Sequence, residues 1–137
     1  MVDPATMGIA SAVTQGAVDY IRTHIQESDN PEEKWEEAAE VCVVEVKVIL
    51  RQDFKNNPRF DRNDLKEKIG NIGYSAEELA VRGEIHGFDE QLTELIGEFA
   101  SVCADYANSF NKIGMDAEEE FQTQSNKVGD EIIEHTT

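Results

Sequence analysis

The segment from Trp35 to Leu50 constrains the fold most, because its apolar residues recur with the period of an α-helix. One face contains Trp35, Ala38, Ala39, Cys42, Val43, Val46, Ile49 and Leu50. Three more valines, Val41, Val44 and Val48, form a second apolar stripe on another side. A helix that is apolar on two sides is either central to a bundle or covered by another subunit. Because residues 41–50 are rich in valine and partly alternate, a β-strand is the alternative for that stretch.

Similar periodicities predict further helices along the chain. Capping signals predict where two of them start, at Asp29 or Asn30 followed by Pro31, and at Asp89. Four long helices are expected, at about residues 4–25, 32–52, 89–113 and 116–135. Between the second and the third, a short helix at 64–69, a turn at 70–74 and a capping box from Ser75 to Glu78 predict a helical hairpin. The predicted fold is therefore all-α, one acidic helical domain over residues 1–137, built as a bundle of about four long helices with a short helical hairpin between the second and third.

Charge is distributed unevenly along the chain. The 137 residues contain 29 acidic and 12 basic side chains, a net charge of −17. Half of the basic residues lie in one segment and are Arg51, Lys55, Arg59, Arg62, Lys66 and Lys68. Because phosphate contacts supply much of the affinity for nucleic acid, so acidic a chain is not expected to bind nucleic acid directly. The pattern favours a protein partner, with the chain itself as the favoured one.

Three explanations of the acidity stay open from the sequence. The first is adaptation to a salt-rich cytoplasm. The second is mimicry of DNA, with carboxylates spaced like phosphates, in an anti-restriction or anti-CRISPR-like inhibitor. The third is charge complementarity in an assembly, in which the acidic C-terminal helix of one copy meets the basic residues 51–68 of another. The third also accounts for the bunching of the basic residues.

No residue pattern in the chain indicates catalysis, a cofactor or a metal site. None of the histidines, His24, His86 and His135, follows a Glu at the three-residue spacing of di-iron bundles. Cys42 and Cys103 lie on predicted core faces, which favours inert thiols. We therefore expect a protein that is not an enzyme and has no cofactor.

The N-terminal residues contribute two expectations about location and contacts. They have no basic region that would favour a signal peptide, and the uncharged run from Pro4 to Val18 is too short and too polar to span a bilayer. A cytoplasmic location, or one within an assembled particle, is therefore expected. Small residues at Gly8, Ala12 and Gly16 form a smooth ridge on the first predicted helix, where another backbone could approach closely.

Together these features predict a non-enzymatic, self-associating structural or adaptor protein, for example a subunit of a viral particle or other assembly. The acidic DNA-mimic inhibitor is the alternative. The candidate interface consists of the ridge, the second valine stripe and the basic segment: Gly8, Ala12, Gly16, Val41, Val44, Val48, Arg51, Lys55, Arg59, Arg62, Lys66 and Lys68.

Overall fold

The fold is all-α in a computed structural model that describes residues 29–51, 62–108 and 116–136. These ranges contain four helices and no strand: α1 (Pro31–Ile49), α2 (Arg62–His86), α3 (Glu90–Ala107) and α4 (Asp116–Thr136). The predicted all-α class is confirmed, and the valine-rich stretch that ends α1 is helical as predicted, not a β-strand. The helix predicted at about 4–25 lies outside the described residues.

The four helices pack around one core in an up-and-down arrangement. Contacts join α1 to α2, α2 to α3, α3 to α4 and α4 back to α1. Gly83 and Gly70 on α2 lie against Thr93 and Ala107 on α3, respectively, so these two helices are antiparallel. Helices α3 and α4 are antiparallel as well. Asp89 at the start of α3 pairs with His135 at the end of α4, and Tyr106 at the end of α3 stacks on Phe121 near the start of α4.

Two helix starts follow the capping signals of the sequence. The side chain of Asn30 accepts a hydrogen bond from the Glu33 backbone N–H at 3.4 Å, and Pro31 occupies the first turn of α1. The side chain of Asp89 accepts one from the Leu92 N–H at 2.9 Å and begins α3. Each cap satisfies a backbone donor that has no partner within the helix, so these boundaries are local properties of the chain.

The predicted short hairpin between the second and third long helices is wrong, because residues 62–86 form one continuous helix. The glycines that suggested a turn instead allow close packing of α2 on α3. A Cβ atom added to Gly73 would lie 2.8 Å from the Cβ atom of Cys103, and one added to Gly70 would lie 3.3 Å from the Cβ of Ala107. Ser75 is not a cap, since its hydroxyl donates to the Asn71 carbonyl one turn earlier.

The core is built from the helical faces that the periodicity marks. All eight residues of the first face of α1 are buried, from Trp35 to Leu50. The Trp35 indole N–H donates to the Leu79 carbonyl on α2 at 2.7 Å, and its ring lies on Gly83, where any side chain would collide with it. Trp35 therefore fixes the start of α1 against the end of α2, beside the turn that leads into α3.

Candidate interaction surface

The second valine stripe of α1 is divided between core and surface. Val41 is only 5% exposed and belongs to the hydrophobic core, whereas Val44 and Val48 are 43% and 38% exposed. Two of the three valines therefore present apolar surface to solvent in the single chain. The small-residue ridge at Gly8, Ala12 and Gly16 lies outside the described residues.

The basic segment lies where α1 ends and α2 begins. Arg51 is exposed directly after α1, and Lys66 and Lys68 are half-buried in the first turns of α2. Lys68 pairs with Asp64 at 3.1 Å on the same helix, and the Lys66 ammonium lies 5.9 Å from the centre of the Tyr106 ring. Lys55 and Arg59 lie outside the described residues, as does the side chain of Arg62. Arg51, Lys66 and Lys68 thus lie at one end of the bundle.

A row of exposed apolar side chains follows α2, and sequence reasoning missed it. Tyr74, Val81 and Ile85 are 63%, 41% and 62% exposed. Their spacings of seven and four residues place them on one face only if the helix is continuous. The predicted turn at 70–74 separated Tyr74 from the other two, so the row became visible only with the uninterrupted helix.

Next to this row, a cleft of about 640 Å³ opens between the second half of α2 and the first half of α3. Its lining includes the apolar side chains of Ala80, Val81 and Phe88 and the carboxylates of Glu77, Glu84, Glu90 and Glu94. Within the described ranges, none of these four carboxylates forms an ion pair. We call this feature the α2–α3 cleft.

The bundle end that contains the cleft is strongly acidic. Residues 29–40 and 77–94 together contain twelve carboxylates and two Lys or Arg side chains. The two cations pair within their own helices, Lys34 with Glu37 and Arg82 with Glu78. The pKa of Glu36 at this end is raised, first by partial burial and then by the negative charges of neighbouring carboxylates. This end of the molecule therefore favours cations.

Histidine chemistry at the same end is limited to pairing and stacking. The His135 Nε2 atom lies 3.0 Å from Asp89, and the His86 ring stacks on Phe88 with ring centres 5.2 Å apart. The Leu92 N–H and, next, His135 lower the pKa of the Asp89 carboxyl. No cluster of three metal-ligating side chains occurs in the described part of the chain. His24 lies outside it.

The two cysteines are buried in the core, where the sequence placed them. Desolvation raises the pKa of Cys42 to about 12 and raises that of Cys103 above its usual range as well. A thiol reacts as a nucleophile only when it is deprotonated, so both groups are unreactive in the folded bundle at neutral pH.

Comparison with known proteins does not assign this chain to a group: no family model, curated protein or solved structure matches it. Among the helices that the structure describes, none combines the length and the apolar character needed to cross a membrane.

Proposed function

We propose that this protein works through protein–protein contacts, as a non-enzymatic structural or adaptor subunit that associates with copies of itself, for example in a viral particle or other assembly. The observation that carries the proposal is the exposed apolar row of Tyr74, Val81 and Ile85 on α2. Large apolar side chains exposed on one face of a helix favour an interaction site, since each exposes area that water solvates poorly. The row also continues into the α2–α3 cleft through Val81, which belongs to both.

The size of the row indicates what else a stable contact requires. Full burial of an aliphatic side chain contributes about 1.5–3 kcal/mol, and these three side chains are already partly covered, so the row supplies on the order of 3 kcal/mol. Association costs about 4–15 kcal/mol in lost translational and rotational freedom. The row therefore needs a further contribution from the cleft, from the exposed valines of α1 or from charge pairing.

Absolute mass measured by light scattering at low and at high salt tests the proposal. A defined oligomer supports it, and a monomer at both salt concentrations refutes self-association. Val81→Asp and Val44→Asp then locate the contact, because both side chains are exposed and neither change should unfold the chain. Loss of the oligomer in Val81→Asp alone assigns the contact to α2, and loss in Val44→Asp alone assigns it to the valine stripe of α1.

The second candidate function is an acidic inhibitor that occupies the groove of a nucleic-acid-binding protein. It is favoured by the four exposed carboxylates around the α2–α3 cleft. In that case the chain would stay monomeric or dimeric, and its binding to a basic target would weaken steeply as salt is added. Competition with duplex DNA for such a target distinguishes this function from self-association.

A further inference from the structure

We infer that the N-terminal segment of this chain, residues 4–25, docks on the α2–α3 cleft of the same molecule, with Val18, Ile21 and Ile25 against the apolar part of the lining. The segment lies outside the described residues, whereas the surface that it would cover is described. The contact lies within one chain and does not depend on the proposed self-association.

Helix α1 begins at the end of the bundle where the cleft opens. The Trp35 ring lies against Gly83, and the centres of the Trp35 and Phe88 rings are 5.1 Å apart. Gly83 and Phe88 both line the cleft. Asn30, which caps α1, precedes Trp35 by five residues, about 7.5 Å along a helix. The chain that precedes α1 therefore enters the bundle next to the cleft.

The connection to α1 is short, which restricts where the end of the segment can lie. Ile25 precedes Asn30 by five residues, which span at most about 18 Å when fully extended. The exposed part of the valine stripe starts at Val44, about 21 Å from Asn30 along α1. Val81 and Ile85, which are also exposed, lie near the end of α2, beside the start of α1. Ile25 can therefore reach Val81 or Ile85 but not Val44.

The apolar residues of the segment match the cleft in spacing and in length. Val18, Ile21 and Ile25 follow one another at three and four residues, a spacing that places side chains on one side of a helix. They span about 10.5 Å along a helix, as do Glu77 and Glu84, which line the cleft on α2. The cleft volume of about 640 Å³ is within the range of ligand-binding pockets and can hold several aliphatic side chains.

The segment also has a charge that the cleft tolerates. Four carboxylates line the cleft, so a further acidic surface would be repelled there. The chain is 30% charged, yet residues 4–18 contain no charged side chain, and Asp19 and Arg22 cancel within residues 4–25. Helix α4, by comparison, contains seven carboxylates and one lysine. Docking of the segment therefore covers apolar surface without bringing net negative charge to the cleft.

Docking of the segment and association between copies would compete for Val81. This residue lines the cleft and also belongs to the exposed row that carries the proposed contact between copies. A docked segment would cover part of that row, so association through the row would require displacement of the segment. The N-terminal segment thereby limits self-association through α2.

Thiol labelling of the full chain at two matched positions tests the inference. Val81→Cys and Val44→Cys introduce a thiol at positions that are 41% and 43% exposed, while Cys42 and Cys103 are buried. A segment that is docked for about nine-tenths of the time leaves the thiol at position 81 accessible for the remaining tenth. That thiol should therefore react with a maleimide about 10-fold more slowly than the thiol at position 44.

Substitutions on the segment identify the cause of the protection. Ile21→Ser with Ile25→Ser removes two apolar side chains without adding charge, and should raise the labelling rate at position 81 to that at position 44. Thr23→Ser is the control, because this residue lies between the two isoleucines on the opposite side of the same helix, and it should leave the 10-fold protection intact. The labelling rate at position 44 should be equal in all three backgrounds, which shows that the bundle stays folded.

The other outcomes overturn the inference. Equal labelling at positions 81 and 44 in the otherwise unmodified chain means that the cleft is uncovered, and protection at position 44 instead means that the segment covers the valine stripe of α1. Protection at position 81 that persists in the double serine variant assigns the cover to something else. If that protection increases with protein concentration, the cover is a second copy, which supports self-association. Protection that is independent of concentration and lost in the double serine variant supports docking, whatever mass light scattering finds.

Discussion

Adding one methyl group at each of two helical glycines should change stability in opposite directions. Gly73 on α2 and Gly97 on α3 are both helical, so replacement by alanine gains about 1 kcal/mol at each from reduced backbone freedom in the unfolded chain. Their surroundings differ. The new Cβ at position 97 would lie 3.9 Å from the Cβ of Ala80, an ordinary contact, whereas at position 73 it would lie 2.8 Å from the Cβ of Cys103.

The collision at position 73 cannot be relieved by rotating a side chain, because the position of a Cβ atom is set by its backbone. Carbon atoms prefer separations of about 3.5–4.0 Å, so α2 and α3 would have to move apart by about 1 Å. Overpacking of this kind typically costs about 1–3 kcal/mol, which cancels or exceeds the gain in helix propensity. We expect Gly73→Ala to destabilise the protein by up to about 2 kcal/mol, and Gly97→Ala to stabilise it by about 0.5–1 kcal/mol.

Urea unfolding followed by circular dichroism at 222 nm measures both free-energy changes. A second pair of substitutions tests the cause: Cys103→Ala keeps the colliding Cβ atom and should leave the penalty of Gly73→Ala intact, whereas Cys103→Gly removes the atom and should abolish it. If Gly73→Ala stabilises the protein as much as Gly97→Ala does, α2 and α3 are not in this close contact and the reasoning is refuted.

Three further predictions concern burial and charge. Val41→Asp should unfold the chain, because an unpaired charge in the core costs several kcal/mol. Val44→Asp, at an exposed position, should change the free energy of unfolding by about 0.5 kcal/mol or less. Equal effects of the two substitutions, measured by circular dichroism, would contradict the finding that Val41 is buried and Val44 exposed. Asp89→Ala should cost about 1 kcal/mol at pH 7 and Asp89→Asn much less, because Asn also caps a helix. The pKa of the Asp89 carboxyl is lowered in the folded state, so the stabilisation by this group is present above pH 3.8 and is lost as the pH falls through the pKa of the folded state. The free energies of unfolding of Asp89→Ala and of the unmodified protein, measured by urea titration, should therefore converge in acid. Glu36→Gln should stabilise the protein at pH 7 by about 0.3 kcal/mol, a small amount because Glu36 is only partly buried and solvent screens the neighbouring charges. The pKa of Glu36 is raised, so the gain should vanish as the pH falls through that raised value towards 4.5. A gain that persists in acid would contradict a charge effect.

Sequence alone was sufficient for features that depend on neighbouring residues. The caps at Asn30 and Asp89 act within one turn, and their signals predicted the starts of α1 and α3 correctly. The face from Trp35 to Leu50 was equally readable, because burying one side of a helix imposes the 3.6-residue period on the sequence. The segregation of charge was also visible in the sequence, although it does not identify a partner.

Tertiary structure decided what the local signals left ambiguous. Gly70 and Gly73 are typical of a turn, but glycine also permits two helices to approach closely, and only the position of α3 selects the second role. The same packing buried Val41 and left Val44 exposed, although both have the same local chemistry. With α2 uninterrupted, Tyr74 joined the apolar row, and the acidic cleft lies at the opposite end of the bundle from Arg51, Lys66 and Lys68. These outcomes depend on contacts between residues distant in sequence, and a local pattern contains no information about which helix will lie against it.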